Sequence, residues 1–381
     1  MKRFTVALIL LFISCSAVRA QNKIIAGDSL VFIEKTLKKV NKNFNFTVLP
    51  GPVYNSSNQL GFAVMPMLVY RMDKNDTLSP TSSTSALLYA NFYPSWMAGI
   101  KQNFYWDRDR WRAILTIGYG HIHQKFYGIG RDTAVVHNEK FVWADEETFY
   151  FSATCYRKIV GGLYGGLEYN YSNILLTGID SAATAEINNK GIATGRYISS
   201  LITPTFVWDN RNNIYFTTKG YYAMVNLKYS DKIFQSCRNY FVITAFLSGY
   251  HSLLPQNKRL TLAWRFYFKG TWNDVPYSEM PDYSGSDAVL GYTPGKYVNF
   301  YEVNTQAELR YDLWKFIGIA GFGGTGKVFS SPGTFGHSVW LPFGGIGVYV
   351  NVIPYQNLRM RFNVAVARDD WGFYIGLGQL F

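Results

Sequence analysis

One glycine-rich run in the sequence has the spacing of a loop that cradles phosphate groups. Gly321-Phe322-Gly323-Gly324-Thr325-Gly326-Lys327 fits a dinucleotide fingerprint and most of a phosphate-binding loop. However, Val328 stands where such a loop needs a hydroxyl for Mg²⁺, and no helical pattern follows to direct N–H groups at a phosphate. We therefore interpret these glycines as part of a curved β-strand.

Histidines supply the other candidates for chemistry. His121 and His123 are two residues apart and would share one face of a strand, the geometry of a metal-binding pair, but no cysteine or acid lies near them in the sequence. His251 and His337 each precede a serine, yet adjacent strand residues face opposite sides of a sheet. The sequence therefore predicts no enzyme active site, no metal and no cofactor.

The composition indicates which elements must position these residues. The chain has 381 residues, of which 18% are aromatic and 16% charged, with 34 glycines and a formal charge of +12. Soluble globular proteins carry about 25% charged residues. The 3 cysteines cannot form a disulfide scaffold, and the one prominent apolar run is shorter than the ~20 residues of a membrane helix. These features favour an all-β protein with alternating apolar residues.

The N-terminus has the pattern of an export signal. Lys2 and Arg3 precede an apolar stretch from Thr5 to Cys15, and Val18-Arg19-Ala20 resembles a small-residue cleavage site. We predict a signal peptide over residues 1–20, whose removal takes three basic residues and lowers the charge from +12 to +9. Export separates the chain from nucleic acid, so we interpret the positive charge as attraction to anionic lipid or surface polysaccharide.

We predict that residues 21–44 form a short periplasmic leader or helix. Leu30, Ile33, Leu37 and Val40 recur at helical spacing, and lysines fill the opposite face. Two interpretations stay open: a short interfacial amphipathic helix at the membrane, or a partly ordered leader to the first strand.

From about Asn45 the apolar pattern has a period of two, as in β-strands. The clearest case is 300–314. Its apolar face consists of Tyr301, Val303, Thr305, Ala307, Leu309, Tyr311 and Leu313, and its polar face of Glu302, Asn304, Gln306, Glu308, Arg310 and Asp312. One side of this strand thus suits lipid and the other suits water.

A soluble β-sandwich also alternates, but its strands average about 5–6 residues. Here the runs reach 10 to 13 residues, which is enough to cross a bilayer at a tilt. Because every backbone group in lipid must find an internal partner, such a sheet must close. We predict a single transmembrane antiparallel β-barrel of about 16 strands over residues 45–381.

The predicted strands lie near 45–54, 60–72, 83–92, 98–107, 111–123, 147–157, 161–171, 196–208, 220–230, 236–248, 258–269, 300–313, 316–327, 337–351, 357–367 and 371–381. An even count leaves both ends of the barrel in the periplasm, with long outer loops and short inner turns. The predicted outer loops include 124–146, 172–195 and 270–299.

The last predicted strand ends in an aromatic residue. The residues Phe373, Ile375, Leu377 and Phe381 share one face. This arrangement resembles the C-terminal signal by which outer-membrane barrels are recognised and inserted, although Gln379 departs from its apolar register.

Several motifs together resemble a known family. Trp208-Asp209-Asn210-Arg211-Asn212, followed by Gly220, resembles its Asp-x-Arg-x-x…Gly turn, and Phe126-Tyr127-Gly128-Ile129-Gly130 resembles its Tyr-Gly-Ile-Gly segment. Gly291-Tyr292-Thr293-Pro294-Gly295-Lys296-Tyr297 falls in the long loop where the family carries Arg-Gly-Phe/Tyr. Most of residues 45–381 thus resemble the barrel of the bacterial surface antigen family, which BamA- and TamA-type outer-membrane assembly factors share.

Two departures from the family concern charge in the barrel. Leu290 stands where the family has the loop arginine, and Asn363 where a wall strand often has aspartate. Losing both charges together leaves neither one buried and unpaired. We expect the loop to fold inward and to be held by Tyr292, Lys296 and neutral contacts. Its predicted motif is Leu290, Gly291, Tyr292 and Lys296, and the predicted lumen partners are Glu308, Arg310, Arg361 and Asn363.

The resemblance also implies a lateral seam between the first and last strands. Pro50 and Pro52, which flank Gly51, each remove a ladder donor from the first strand, and Gly376 and Gly378 lie in the last. The alternative is a first strand that simply begins after Pro52. Only about 24 residues separate the predicted signal from the barrel, too few for a client-receiving domain.

The resemblance implies a bacterial outer-membrane location and a role in protein insertion or translocation, directly or as a partner subunit. The alternatives are a solute pore or a structural barrel. Expected partners are outer-membrane lipids including lipopolysaccharide, the barrel assembly machinery during biogenesis, and other periplasmic or outer-membrane proteins, but not nucleic acid.

Overall fold

The computed structural model describes most of the chain from Phe44 onward. The described residues are 44–55, 59–76, 78–79, 82–130, 141–189, 192–212, 216–254, 259–284, 289–314, 316–353, 358–368, 370–377 and 379–381. The predicted signal peptide and, apart from Phe44, the predicted leader lie outside them.

Sixteen strands account for most of the described residues. They are β1 Phe44–Asn55, β2 Gln59–Tyr70, β3 Ser82–Asn91, β4 Trp96–Trp106, β5 Trp111–Phe126, β6 Val142–Val160, β7 Leu163–Gly178, β8 Gly195–Asp209, β9 Gly220–Ser230, β10 Tyr240–Ser252, β11 Leu260–Asn273, β12 Tyr301–Asp312, β13 Ile317–Phe329, β14 Phe343–Ile353, β15 Leu358–Ala367 and β16 Trp371–Leu377. All sixteen join one sheet in sequence order, each pair antiparallel. The predicted fold class and strand number are confirmed.

The polarity of the sheet is that of a membrane barrel. Along β12 the polar residues Glu302, Gln306 and Glu308 are buried, whereas Thr305 and Leu309 on the alternate face are exposed. A soluble protein buries its apolar face instead. The apolar face of β12 therefore faces lipid and the polar face lines the lumen. Within the described residues, no helix is long and apolar enough to cross a membrane.

Contacts inside the lumen show how strongly the sheet curls. Residues 274–300, between β11 and β12, form a segment that we call the inward loop. Tyr277 of this loop packs on Phe126 of β5 with ring centroids 4.9 Å apart, and the Gly291 N–H of the same loop donates to the Tyr374 hydroxyl of β16 at 2.8 Å. Strands eleven positions apart in the sheet thus meet one loop, which is possible only if the sheet wraps around it.

Some boundaries differ from the predicted ones. β6 and β7 extend into the predicted outer loops 124–146 and 172–195, and the second of these loops also holds a helix, α1, Ser181–Asn189. Asp180 caps α1 by accepting from the Ala183 N–H at 2.7 Å, and Ile187 is buried against the barrel. The alternation of apolar residues at period two does not reveal this helix, because its only amphipathic signal is this one short buried face.

The last strand is shorter than predicted. β16 ends at Leu377 rather than at Phe381, and Gln379 and Leu380 lie inside the barrel. The polar Gln379 finds hydrogen-bond partners in the lumen that a lipid-facing strand cannot offer, so the chain turns inward at this point.

Candidate functional site

The outer half of the lumen is filled by the inward loop. The Tyr292 hydroxyl donates to the Pro342 carbonyl at 2.9 Å, and Lys296 Nζ lies 2.9 Å from Asp370, between β15 and β16. The sequence predicts Tyr292, Lys296 and neutral contacts for this loop, and the structure adds an acidic partner, Asp370, for Lys296. A charged pair survives here since both partners come together, whereas a single buried charge would be costly.

Leu290 and Gly291 stand where the resemblance places the family's Arg-Gly pair. Leu290 packs in an apolar cluster with Tyr283, Phe343 and Leu380, so no charge remains to be neutralised at this point. Gly291 has a φ of +101°, and a Cβ there would lie 3.1 Å from Ala367. Both the backbone conformation and the close approach to β15 therefore require glycine.

Tyr283 anchors the same cluster to the connection between β13 and β14. Its hydroxyl donates to the Leu341 carbonyl at 2.7 Å. Burial raises the pKa of Tyr283 well above its usual value, so the phenol keeps the proton that this hydrogen bond uses.

A second ion pair holds the inward loop on the opposite wall. Lys228 of β9 and Glu279 of the loop are both buried and lie 2.9 Å apart. Lys269 of β11 also donates to the Met280 carbonyl at 3.4 Å. Sequence reasoning missed these contacts, because 51 residues separate Lys228 from Glu279 and the pattern shows only that Lys228 faces the lumen.

The periplasmic end of the lumen is filled by a different segment. Residues 210–219, between β8 and β9, form what we call the periplasmic insert. Phe216 of this insert is 5% exposed and packs on Tyr349 of β14 at a centroid distance of 5.6 Å. The guanidinium carbons of Arg359 and Arg310 lie 3.6 Å and 5.2 Å from the centre of its ring. The insert thus lies in a cationic pocket rather than in the periplasm.

The predicted lumen partners divide between two places. Arg310 is bound to Glu308 at 2.7 Å and donates at 3.3 Å to the Thr217 carbonyl and to the Gln379 side chain. These two wall residues therefore serve the periplasmic insert and not the inward loop. Arg361 and Asn363 lie on β15, where Asn363 is 1% exposed and its Oδ1 fills the space over Gly347 of β14.

The end of the chain is held in this cationic pocket. Gln379 accepts from the Thr217 N–H at 2.9 Å, and the Tyr250 hydroxyl of β10 donates to the Phe381 carbonyl at 2.8 Å. Among the predicted insertion-signal residues, Phe373, Ile375 and Leu377 pair with β15, whereas Phe381 packs inside. The four residues do not share one face of a strand as predicted.

The turn motif of the resemblance supports the insert. Arg211 donates two hydrogen bonds to Asp209, at 2.8 Å and 2.9 Å, and its guanidinium carbon lies 4.2 Å from the ring centre of Tyr222. Gly220 has a φ of +116°, and a Cβ there would lie 2.6 Å from the Asn210 carbonyl. The spacing of this motif thus follows from a turn that is closed by an ion pair and a glycine.

The predicted lateral seam lies at the two edges of the sheet. Pro50 and Pro52 are opposite Val64 and Phe62 of β2, so β1 begins at Phe44 and the alternative of a strand that starts after Pro52 is wrong. Gly376 is opposite Arg361 of β15, and Gly378 lies outside the described residues. In the described part of the chain, no ladder joins β16 to β1.

The other candidates for chemistry take structural positions. Gly321–Lys327 lies within β13. His123 Nδ1 lies 2.7 Å and His121 Nε2 lies 3.7 Å from Asp145, a carboxylate from the neighbouring strand that the sequence did not place there. Among the residues that the structure describes, no group of three or more His, Cys, Asp or Glu side chains is arranged to hold a metal.

A family model decides the identity of this barrel. The model of the Omp85 superfamily domain matches residues 100–381. The chain belongs to the Omp85 superfamily. The resemblance to assembly-factor barrels that the sequence indicates is confirmed, and Omp85 proteins of this kind are outer-membrane β-barrels. No curated protein matches the sequence.

Solved structures support the same fold. The chain resembles the crystal structure of BamA from Haemophilus ducreyi lacking POTRA domains 1-3, with 14% identity and a TM-score of 0.60, over 87% of this chain and 70% of that one. It also resembles CdiB from Acinetobacter baumannii, with 12% identity and a TM-score of 0.54, over 88% of this chain and 60% of that one. At these identities the likeness shows the fold of the Omp85 barrel.

Proposed function

We propose that this Omp85 barrel acts in the insertion or translocation of proteins at the outer membrane, on its own or as the partner subunit of another assembly factor. The observation that carries the proposal is the combination of a lumen filled from both ends with a sheet whose two edge strands share no ladder in the described residues.

The two edge strands, unlike the filled lumen, can pair with a strand of a client protein. An edge strand presents unpaired N–H and C=O groups, which form a template for another strand. In lipid such groups are costly until they are paired. Pro50 and Pro52 each remove a backbone donor from β1. We infer that these donors are lost from the free edge of β1, which weakens any pairing between β1 and β16. An incoming strand therefore competes easily for the edge.

The test is the assisted insertion of an unfolded small outer-membrane barrel into phospholipid vesicles that contain the purified protein. The variant Pro50→Val/Pro52→Val restores two donors to β1 and should slow insertion several-fold, because β1 and β16 then pair more strongly. Pro204→Val makes the same change inside β8, opposite Leu167, and should leave the insertion rate unchanged.

Two outcomes would reject this function. One is an insertion rate equal to that of protein-free vesicles, both for the chain alone and after addition of the co-purifying membrane complex. The other is large stable single-channel currents in a planar bilayer, which would favour a solute pore.

The proposal also covers export, partners and the absence of catalysis. We propose that residues 1–20 direct export, that the barrel contacts outer-membrane lipids including lipopolysaccharide, that the barrel assembly machinery inserts it, and that it is not an enzyme. A fusion that lacks residues 1–20 should stay in the cytoplasm, and His251→Ala with His337→Ala should leave vesicle insertion unchanged.

A further inference from the structure

Two periplasmic turns enclose a groove on the outside of the barrel. We call it the rim groove; it has a volume of about 880 Å³ and is lined by Met72, Asp73, Asn75, Asp76, Leu78, Phe104, Trp106, Asp107, Arg108 and Ala113. One wall comes from the connection between β2 and β3 and the other from the turn between β4 and β5.

The floor of the rim groove faces lipid. Asn103 of β4 is buried and bonds to Ser83 in the barrel wall, so Phe104 and Trp106 alternate with lumen-facing residues and point outward. Trp106 stacks on Trp111 at a centroid distance of 6.3 Å, which is typical of the aromatic girdle at a membrane interface. Across the groove, Leu78 is 66% exposed.

The rim of the groove carries both signs of charge. Arg108 is exposed, and no ion pair within the described residues engages its guanidinium. Asp107 lies 3.9 Å from Arg110, too far for a hydrogen bond. One oxygen of Asp73 accepts from the Asn75 N–H at 2.8 Å, and its other oxygen can accept from a ligand. One cation and two carboxylates thus surround the mouth of an apolar groove.

Hydrogen bonds fix the groove before any ligand arrives. Asp76 accepts from the N–H groups of Ser79 and Arg108, both at 2.9 Å, and the Asp109 N–H donates to the Ser79 hydroxyl at 2.7 Å. Asp107, Arg108 and Asp109 all have positive φ, between 54° and 61°. These bonds tie the two turns together and hold the second in a conformation that side chains rarely adopt.

We propose that the rim groove binds an aminophospholipid of the phosphatidylethanolamine type from the periplasmic leaflet. Arg108 binds the phosphate, Asp73 and Asp107 accept from the ammonium group, and the acyl chains lie on Phe104 and Ala113. Phosphatidylcholine presents methyl groups that cannot donate hydrogen bonds, and phosphatidylglycerol lacks the cation. The occupant follows from this complementarity of charge and from the depth of the groove at the aromatic girdle. The proposal does not depend on the function proposed above.

The test is native mass spectrometry of the purified barrel in detergent with equimolar phosphatidylethanolamine, phosphatidylcholine and phosphatidylglycerol. The barrel should retain phosphatidylethanolamine about threefold better than either competitor, the size expected of exposed ion pairs. Asp73→Asn/Asp107→Asn should abolish the preference, and Arg108→Ala should lower retention of all three lipids. Arg238→Ala, the same change at the outer rim, should alter nothing.

Folding of each variant is checked by heat-modifiable migration in gels. Equal retention of the three lipids, or a preference that survives Asp73→Asn/Asp107→Asn, would overturn the proposal. So would a crosslink from position 108 to residues 21–43 that excludes lipid, since the groove would then belong to the leader. Preferential retention of lipopolysaccharide at Arg108 would also count against it.

Discussion

Replacement of Phe216 by alanine should release the periplasmic insert from the lumen. The ring of Phe216 is the only aromatic group that the described part of the insert places between Arg310 and Arg359. Without the ring, the Thr217 backbone keeps its hydrogen bonds to Gln379 and Arg310 but loses the contact that positions them.

The structure indicates the magnitude of this effect. Truncation of a buried phenylalanine costs about 3–5 kcal/mol, and a cation–π contact contributes about 0.5–2 kcal/mol. Arg310 keeps Glu308 and Arg359 keeps Asp312 as partners, so no charge is left unpaired and the lower value of about 3 kcal/mol applies. At 1.4 kcal/mol per factor of ten, the docking equilibrium of the insert falls roughly 150-fold.

Cysteine labelling measures this equilibrium directly. The reporter is Thr217→Cys in a protein that also carries Cys155→Ser and Cys237→Ser. Among the described residues, its one cysteine then lies at position 217, where the side chain is 0% exposed. A membrane-impermeant maleimide labels it only while the insert is undocked, so its labelling rate should rise roughly 150-fold when Phe216→Ala is added.

The matched control is Phe316→Ala, which removes an exposed ring from the turn between β12 and β13 at the same end of the barrel. It should leave the labelling rate at position 217 of the Thr217→Cys protein unchanged. A rate in the Phe216→Ala protein within twofold of its parent would show that the cationic pocket does not hold the insert.

Three further changes test other contacts. Glu279→Gln leaves Lys228 charged and buried, so the urea midpoint should fall by the equivalent of about 3–5 kcal/mol, and pairing Lys228→Met with Glu279→Leu should restore it. Lys296→Gln should raise the rate of proteolysis of the inward loop severalfold. The double variant Lys296→Asp/Asp370→Lys keeps an ion pair at this place and should be cleaved at the rate of the unchanged protein. Hydrogen bonds from the Ser79 hydroxyl and the N–H groups of Ser79 and Arg108 lower the pKa of Asp76 below its usual value. The stability that Asp76 contributes is therefore complete above about pH 4 and is lost as the pH falls further. Asp76→Asn should lower the unfolding midpoint at pH 6, and this difference should disappear in strong acid.

The sheet could be predicted because each barrel strand alternates apolar residues that face lipid with polar residues that face the lumen. β9 was predicted with the bounds that the structure shows, 220–230, and β12 and β15 within one residue at each end. Period-two alternation is a local signal, and a barrel strand needs little more than this signal to be recognised.

The contents of the lumen could be predicted only in part. The inward fold of the loop followed from the resemblance to the family's loop motif. Its partners Asp370 and Glu279 did not follow, because ion pairs between residues distant in sequence are not visible in local spacing. Gln379 was visible as a residue out of register, and the structure gives the reason: its side chain bonds to Thr217 and Arg310.

The periplasmic insert was missed for a related reason. The insert is longer than the short inner turns that the sequence predicts, and this length lets Phe216 reach Arg359 in the lumen. The apolar run Ile214-Tyr215-Phe216 in an otherwise polar connection is a signal that could have indicated this contact, since a short turn in water does not bury such side chains.

The unequal lengths of the strands have a consequence for the lipid around the barrel. β6 has 19 residues and β16 has 7. At about 3.4 Å per residue and a tilt of about 40°, these correspond to heights of roughly 50 Å and 18 Å. The apolar band of such barrels is about 25 Å tall, so among the strands that the structure describes only β16 is shorter than this band. Hydrophobic mismatch therefore concentrates beside β16, and the bilayer thins where the sheet has its edge.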